Sequence, residues 1–127
     1  MTPLAGITVF VVDDDEAVGE SFAALLEIEG ATVRSFSSAE EVRATPLDDD
    51  GCLLIDVDLG SESGLDLLAW LRTHGVRMPA VMMTGKLSPG LPAAAAQASA
   101  TALLEKPLDS EDVARVIANC VAMSGRA

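Results

Sequence analysis

Three consecutive aspartates, Asp13, Asp14 and Asp15, follow the apolar run at residues 7–12, and a further pair, Asp56 and Asp58, closes the apolar run that begins at Cys52. Thr84 and Lys106 close two later apolar runs. Carboxylates gathered in one crevice repel one another, and a divalent cation with oxygen ligands is the most direct means of keeping them all ionised. Mg²⁺ suits such a set, because it takes one or two carboxylates, keeps several waters and leaves a position for a phosphate oxygen. An aspartate beside it can attack phosphorus, while the metal and a lysine ammonium neutralise charge on the transferring oxygens and a hydroxyl donates to another of them. The candidate residues are therefore Asp13, Asp14, Asp56, Asp58, Thr84 and Lys106, provided the fold brings them together.

The elements that would do so follow from hydrophobic patterning. Residues 7–12, with Val9, Phe10, Val11 and Val12, read as a strand buried on both faces of a parallel sheet. Further strands are expected at 32–36, 52–57, 79–84 and 101–105. Val18, Phe22, Leu25 and Leu26 recur at helical spacing before Gly30. Ser38 and Glu41 have capping-box spacing for a short helix ending by Pro46, and Leu65, Leu68 and Leu71 mark a helix over 64–73. Asp48, Asp49, Asp50 and Gly51 read as a solvated turn. Pro89, Gly90 and Pro92 delay the alanine-rich fourth helix, which is expected to be short and mobile. Val113, Val116, Ile117, Cys120 and Val121 form the stripe of a last helix capped by Asp109 or Ser110. Five strands alternating with five helices predict an α/β fold, a five-stranded parallel sheet in the flavodoxin-like order 2-1-3-4-5 with helices on both faces. Ligands of such sheets bind beyond the carboxyl ends of the strands, where every candidate residue falls.

With 127 residues, half of them apolar, the chain has room for one domain, 1–127, with 123–127 a frayed end or the start of a linker. A formal charge of −12 opposes binding to nucleic-acid phosphates or anionic lipid. Cys52 and Cys120 sit in apolar runs and read as buried thiols in a reducing compartment. The first apolar run is too short to span a bilayer and no basic segment precedes it, so a cytosolic location is expected.

Val12-Asp13-Asp14 after the first strand, Asp56 ending the third, Thr84-Gly85 after the fourth, and Glu105-Lys106-Pro107 after the fifth together resemble the signature of response-regulator receiver domains. The resemblance covers essentially the whole chain. It implies that Asp56 is the phosphoacceptor and Asp14 the principal metal-ligating acid, with Asp13 acting largely through water and the backbone carbonyl of Asp58 completing the protein's share of a Mg²⁺ shell. It implies that Thr84 is the switch hydroxyl and that Lys106 pairs with the acceptor before transfer and with the phosphoryl group after it. The expected partners are a histidine kinase or phosphotransfer protein on the input side, and an output domain or partner protein on the face of helix four, strand five and helix five.

The sequence departs from that family's pattern in two places. Gly60 stands where a proline is common, which predicts a looser loop before helix three, and Leu103 stands where an aromatic residue commonly reports the switch. Lys86 is expected at the rim of the crevice opposite Asp58, where an ion pair between them would hinder water from reaching an aspartyl phosphate. His74 and Trp70 read as surface and partial-core residues, and Asp15 and Glu16 as a solvated helix start. The alternative from a different class is a phosphohydrolase of the haloacid-dehalogenase type, suggested by the pair Asp56 and Asp58. The order of the acidic motifs and the lack of room for a cap domain argue against it. A pseudo-receiver that binds partners without being phosphorylated is a third reading, opposed by the complete set of acid, hydroxyl and lysine.

Overall fold

The computed structural model describes residues 3–47 and 50–124. In chain order the elements are β1 (Thr8–Val12), α1 (Glu16–Ile28), β2 (Thr32–Phe36), α2 (Ala39–Arg43), β3 (Cys52–Asp56), α3 (Gly64–Thr73), β4 (Ala80–Thr84), α4 (Leu91–Gln97), β5 (Ala102–Glu105) and α5 (Ser110–Met123). The strands form one sheet in the order β2-β1-β3-β4-β5 with every neighbouring pair parallel, the topology that the alternation of elements predicts.

A parallel strand covered on both faces must be apolar at both parities. Phe10, Val12, Leu53, Ile55, Ala80 and Met82 enter one core with Val42 of α2 and Leu67, Leu68 and Leu71 of α3. Val9, Val11, Cys52, Leu54, Val81 and Met83 enter the other with Leu26 of α1 and Val113, Ile117 and Cys120 of α5. Full burial of a leucine or isoleucine side chain contributes about 1.5–3 kcal/mol, and a one-residue slip of a central strand would exchange its two cores. The register, and with it the height at which each strand ends, is therefore fixed. Both cysteines are free and buried, as their apolar surroundings suggest.

Helix starts are set by side-chain acceptors: Asp15 caps α1, Ser38 caps α2, Ser63 caps α3 and Asp109 caps α5. The capping box of α2 is shifted by one residue. Ser38 Oγ accepts from the Glu41 N–H at 3.1 Å, but the Glu41 carboxylate accepts from the backbone and hydroxyl of Ser37, not from the Ser38 N–H. Gly30, at φ 102°, donates to Glu27 and the next N–H to Leu26, the left-handed stop expected after α1.

Leu25 does not join the buried stripe of α1 and is 40% exposed. The inward face runs instead through the buried Gly19 and Leu26 with Phe22 packed alongside, and Leu25 lies about 100° around the helix from Leu26. Helix α4 is short, as expected: Gly90 caps it without a side-chain hydrogen bond and Ala95 is its one buried residue. Its exit is held by Arg72, which donates to the carbonyls of Val76, Met78 and Ser99. Asp48 and Asp49 of the expected turn, and residues 125–127 of the expected frayed end, lie outside the described residues. Met123 still belongs to α5. No helix among the described residues is long and apolar enough to cross a membrane.

Candidate functional site

The sheet's backbone ladder continues past the strand ends into the residues singled out above. Asp13 N–H donates to Phe36 O (3.1 Å), Val57 N–H to Met83 O (2.7 Å) and Lys106 N–H to Thr84 O (2.8 Å). The groups at this edge are thus carried on rigid backbone rather than on free loops. Asp13, Asp56 and Thr84 are the buried polar residues among those described, at 3%, 6% and 6% exposure.

A buried carboxylate is costly unless it is paired and hydrogen-bonded. Both aspartates meet that demand in the same way. Asp13 Oδ1 accepts from the Asp15 N–H at 3.0 Å and Asp56 Oδ1 from the Asp58 N–H at 2.8 Å. Their other oxygens face one ammonium: Lys106 Nζ lies 2.5 Å from Asp56 Oδ2 and 3.5 Å from Asp13 Oδ2. Burial is the largest influence on Asp13 and raises its pKa, and the charge on Asp56 adds to it, against the opposing pull of the Asp15 N–H and Lys106. Burial works against the charge on Lys106, but its hydrogen bond to Asp56 and the negative fields of Asp56 and Asp13 outweigh it and raise the lysine pKa. The peptide bond from Lys106 to Pro107 is cis.

Asp14 is exposed and leans over the loop between β3 and α3, where a Cβ added at Gly60 would lie 3.0 Å from Asp14 Oδ2. Three carboxylates and one ammonium leave the crevice with excess negative charge and only hard oxygen donors. Among the described residues no three His, Cys, Asp or Glu side chains form a ready-made metal cage. Mg²⁺ does not require one, since it binds through one or two carboxylates and keeps its waters, so the donor set of Asp13, Asp14 and Asp56 fits that ion.

The hydroxyl of Thr84 is engaged locally, donating to Lys86 O at 3.0 Å and accepting from Lys86 N–H at 3.2 Å. Glu105 Oε2 ties the same segment to β5 by accepting from Leu87 N–H at 3.3 Å. Leu103 is half-buried against the core on the α2 and α3 side. The expected ion pair of Asp58 with Lys86 is not among the ion pairs of the described residues. Asp58 Oδ1 accepts instead from Gly60 N–H at 3.0 Å, a short-range turn bond that orders fewer side-chain torsions than an exposed lysine bridge.

The loop from β3 to α3, expected to be loose at Gly60, carries several ties. Leu59 N–H donates to Glu62 O, Gly64 N–H to Val57 O, and Asp58 and Ser63 form an isolated antiparallel bridge. Its outer corner is gripped by a residue that the sequence does not single out: Arg43, at the end of α2, holds Glu62 through two bonds of 2.7 and 2.5 Å. The Arg43 guanidinium also lies 5.6 Å from the centre of the Trp70 ring, which stacks on His74 at 3.8 Å. No periodicity or motif links positions 43 and 62, so only the tertiary fold reveals the pair.

Residues 9–118 match the family model described as the response regulator receiver domain. The transcriptional regulatory protein FixJ of Azorhizobium caulinodans is 40% identical over 122 residues, which cover 94% of this chain and 56% of that protein. The C4-dicarboxylate transport transcriptional regulatory protein DctR of Rhodobacter capsulatus is 30% identical, over 91% of this chain and 60% of its own. The chain therefore spans a little over half the length of these curated relatives. Among solved structures, a CheY-like receiver domain protein from Methanospirillum hungatei superposes with a TM-score of 0.85 at 26% identity, covering 94% of this chain and 96% of that one. The crystal structure of FixJ-N superposes with a TM-score of 0.81 at 27% identity, with the same two coverages.

Proposed function

The chain belongs to the response-regulator receiver domain family, and from that premise we propose that it accepts a phosphoryl group on Asp56 from a histidine kinase or phosphotransfer protein, with Mg²⁺ as cofactor. The observation that carries this reading is the single ammonium of Lys106 set between two buried carboxylates at the sheet's carboxyl edge. Nothing in a purely structural role calls for two desolvated aspartates beside each other.

Asp56 would act as the nucleophile. One of its carboxylate oxygens attacks phosphorus, the bond from phosphorus to the donor's imidazole nitrogen breaks, and the electron pair leaves with that nitrogen, giving an aspartyl phosphate. Asp13, Asp14, Asp56 and the backbone carbonyl of Asp58 would hold Mg²⁺, which supplies charge neutralisation to the transferring oxygens. Lys106 exchanges its contact with Asp56 Oδ2 for a phosphoryl oxygen, staying within reach because its backbone is pinned to Thr84. For Thr84 to donate to the phosphoryl group, its hydroxyl must release Lys86 O, which converts a charge change at Asp56 into a rearrangement of the segment leading to α4. Leu103 on β5 and Lys86 at the rim are the positions that would modulate this movement and the lifetime of the phosphorylated form.

In this reading the protein is a signalling switch and not a metabolic enzyme. The family match gives no support to the haloacid-dehalogenase alternative. Because two curated relatives are named as transcriptional regulators and extend well beyond the matched part, the domain is assigned the input half of such a regulator, working in the cytoplasm. Its output would be passed through the face of α4, β5 and α5 to an attached domain or partner protein. Acetyl phosphate with Mg²⁺ should retard the wild-type protein on a phosphate-affinity gel, and Asp56→Asn should abolish the shift. A wild-type protein that does not shift would favour the pseudo-receiver, and a shift that survives in Asp56→Asn would displace Asp56 as acceptor.

A further inference from the structure

We propose that Arg43 and Glu62 form a latch that sets the affinity of the acidic site for Mg²⁺, with Arg43 a positioning residue that acts from α2 through the loop between β3 and α3. The proposal rests on the reading of Asp13, Asp14 and Asp56 as the metal site.

Residues 57–63 lead away from Asp56, and Asp58 N–H holds Asp56 Oδ1 in place at 2.8 Å. The same residue, two past the acceptor, carries the backbone carbonyl assigned to the metal. Gly60 sits at φ 78°, a conformation that side-chain-bearing residues rarely adopt, and with no Cβ it adds no steric restraint of its own to the chain there. Asp58 Oδ1 to Gly60 N–H and Leu59 N–H to Glu62 O are ties within the loop itself, and they do not fix it relative to the sheet. Val57 N–H pins the start of the loop to Met83 O on the sheet, and two side-chain anchors hold the part beyond it. One is Leu59, 4% exposed in the core on the α2 and α3 side. The other is Glu62, held by both Nη atoms of Arg43.

The Arg43 and Glu62 contact differs from the other surface pair, Arg115 with Asp112, in three ways. It joins residues 19 positions apart instead of three, it is bidentate, and its side chains are 28% and 25% exposed against 66% and 60%. Two parallel bonds from a planar guanidinium fix orientation as well as distance. The guanidinium is itself placed over Trp70 of α3, so the latch is seated on a helix that is packed into the core through Leu67, Leu68 and Leu71. The hydrogen bond between the partners lowers the pKa of Glu62 and raises that of Arg43, so both stay charged across the physiological range.

Mg²⁺ binding measured by titration calorimetry separates this from a general charge effect. The variants are Arg43→Ala, Glu62→Gln and the two combined. Long-range electrostatics predicts opposite changes: losing the arginine would tighten Mg²⁺ and losing the glutamate would weaken it. The latch predicts that both single variants weaken Mg²⁺ by about fivefold, the upper end for a partly exposed ion pair. The combined variant should be no weaker than either single one, because one contact is lost in all three. Amide exchange at Leu59 and Gly64 should accelerate in all three while exchange in β1 and β3 stays unchanged. Opposite shifts in the two single variants, additive losses, or unchanged affinity would each overturn the latch while leaving the metal site in place. A wild-type protein that binds no Mg²⁺ would remove the metal site and the latch with it.

Discussion

Gly64 offers the sharpest test of how the fold holds Asp56, the proposed acceptor. It is the first residue of α3, and a Cβ built there would lie 2.0 Å from the carbonyl oxygen of Asp56, 3.0 Å from its carbon and 2.9 Å from Ile55 Cγ2, where ordinary contact begins near 3.4 Å. The requirement is space, not backbone freedom, since Gly64 is not among the residues at positive φ. Alanine at this position must push the helix start away from the Asp56 carbonyl by more than about 1 Å. That movement works against the bonds from Gly64 N–H to Val57 O and from Val57 N–H to Met83 O. Overpacking against backbone belongs at the upper end of the ~1–3 kcal/mol range, and the gain in helix propensity offsets about 1 kcal/mol, leaving a net loss near 2 kcal/mol. In urea this is a fall in midpoint of roughly 1 M. Because the displaced group is the backbone of the proposed acceptor, labelling by acetyl phosphate should fall by more than about tenfold. Gly19→Ala is the matched control: beyond its chain neighbours and the backbone of its own helix, nothing lies within 4 Å of a Cβ there, so the same substitution inside α1 should stabilise by about 1 kcal/mol. A Gly64→Ala protein with the wild-type midpoint and labelling rate, or a Gly19→Ala protein less stable than Gly64→Ala, would refute the reasoning.

Asp13→Asn should raise the urea midpoint at neutral pH while weakening Mg²⁺ binding. The fold raises the pKa of Asp13, so its ionised form is disfavoured in the native state, and the variant's advantage should vanish as the pH falls through that raised value and the wild-type carboxyl protonates. The pKa of Glu41 is shifted the other way, downward, by the hydroxyl and backbone N–H of Ser37. Its contribution is full above the ordinary value of 4.5 and lost as the pH falls through the lowered folded value, so Ser37→Ala should be less stable than wild type at pH 7 and should converge with it in acid unfolding curves. Burial pushes the Cys52 thiol up to about 12, so iodoacetamide should label it only after unfolding, and rapid labelling of the native protein would contradict its placement in the core.

The parts of the molecule governed by short-range pattern were legible in the residues. Two-sided apolar runs define strands, and the position after each run is a strand end, so the convergence of Asp13, Asp56, Thr84 and Lys106 follows once the sheet is known to be parallel. The caps at Ser38 and Asp109 and the stop at Gly30 are equally local. What escaped depends on side chains choosing between partners of similar energy. Glu41 prefers the N–H of Ser37 to that of Ser38, and Asp58 turns to the nearby Gly60 N–H instead of the distant Lys86. Arg43 and Glu62 meet only because α2 and the loop after β3 lie side by side in the fold, a proximity with no trace in either segment alone.

Helix α4 buries nothing larger than an alanine and begins without a side-chain cap, while its exit is gripped by Arg72. A buried methyl contributes about 0.8 kcal/mol, against several times that for α3 with its three buried leucines. Lightly packed along its length and tied at its exit through Arg72, α4 is the helix that a rearrangement after Thr84 would displace at the least cost. If Asp56 is the acceptor, as proposed, the charge change there would therefore be felt first at this helix. Enlarging the alanines of α4 should then anchor the helix and blunt the response of the proposed switch, so that the small size of these side chains would act as a setting for sensitivity.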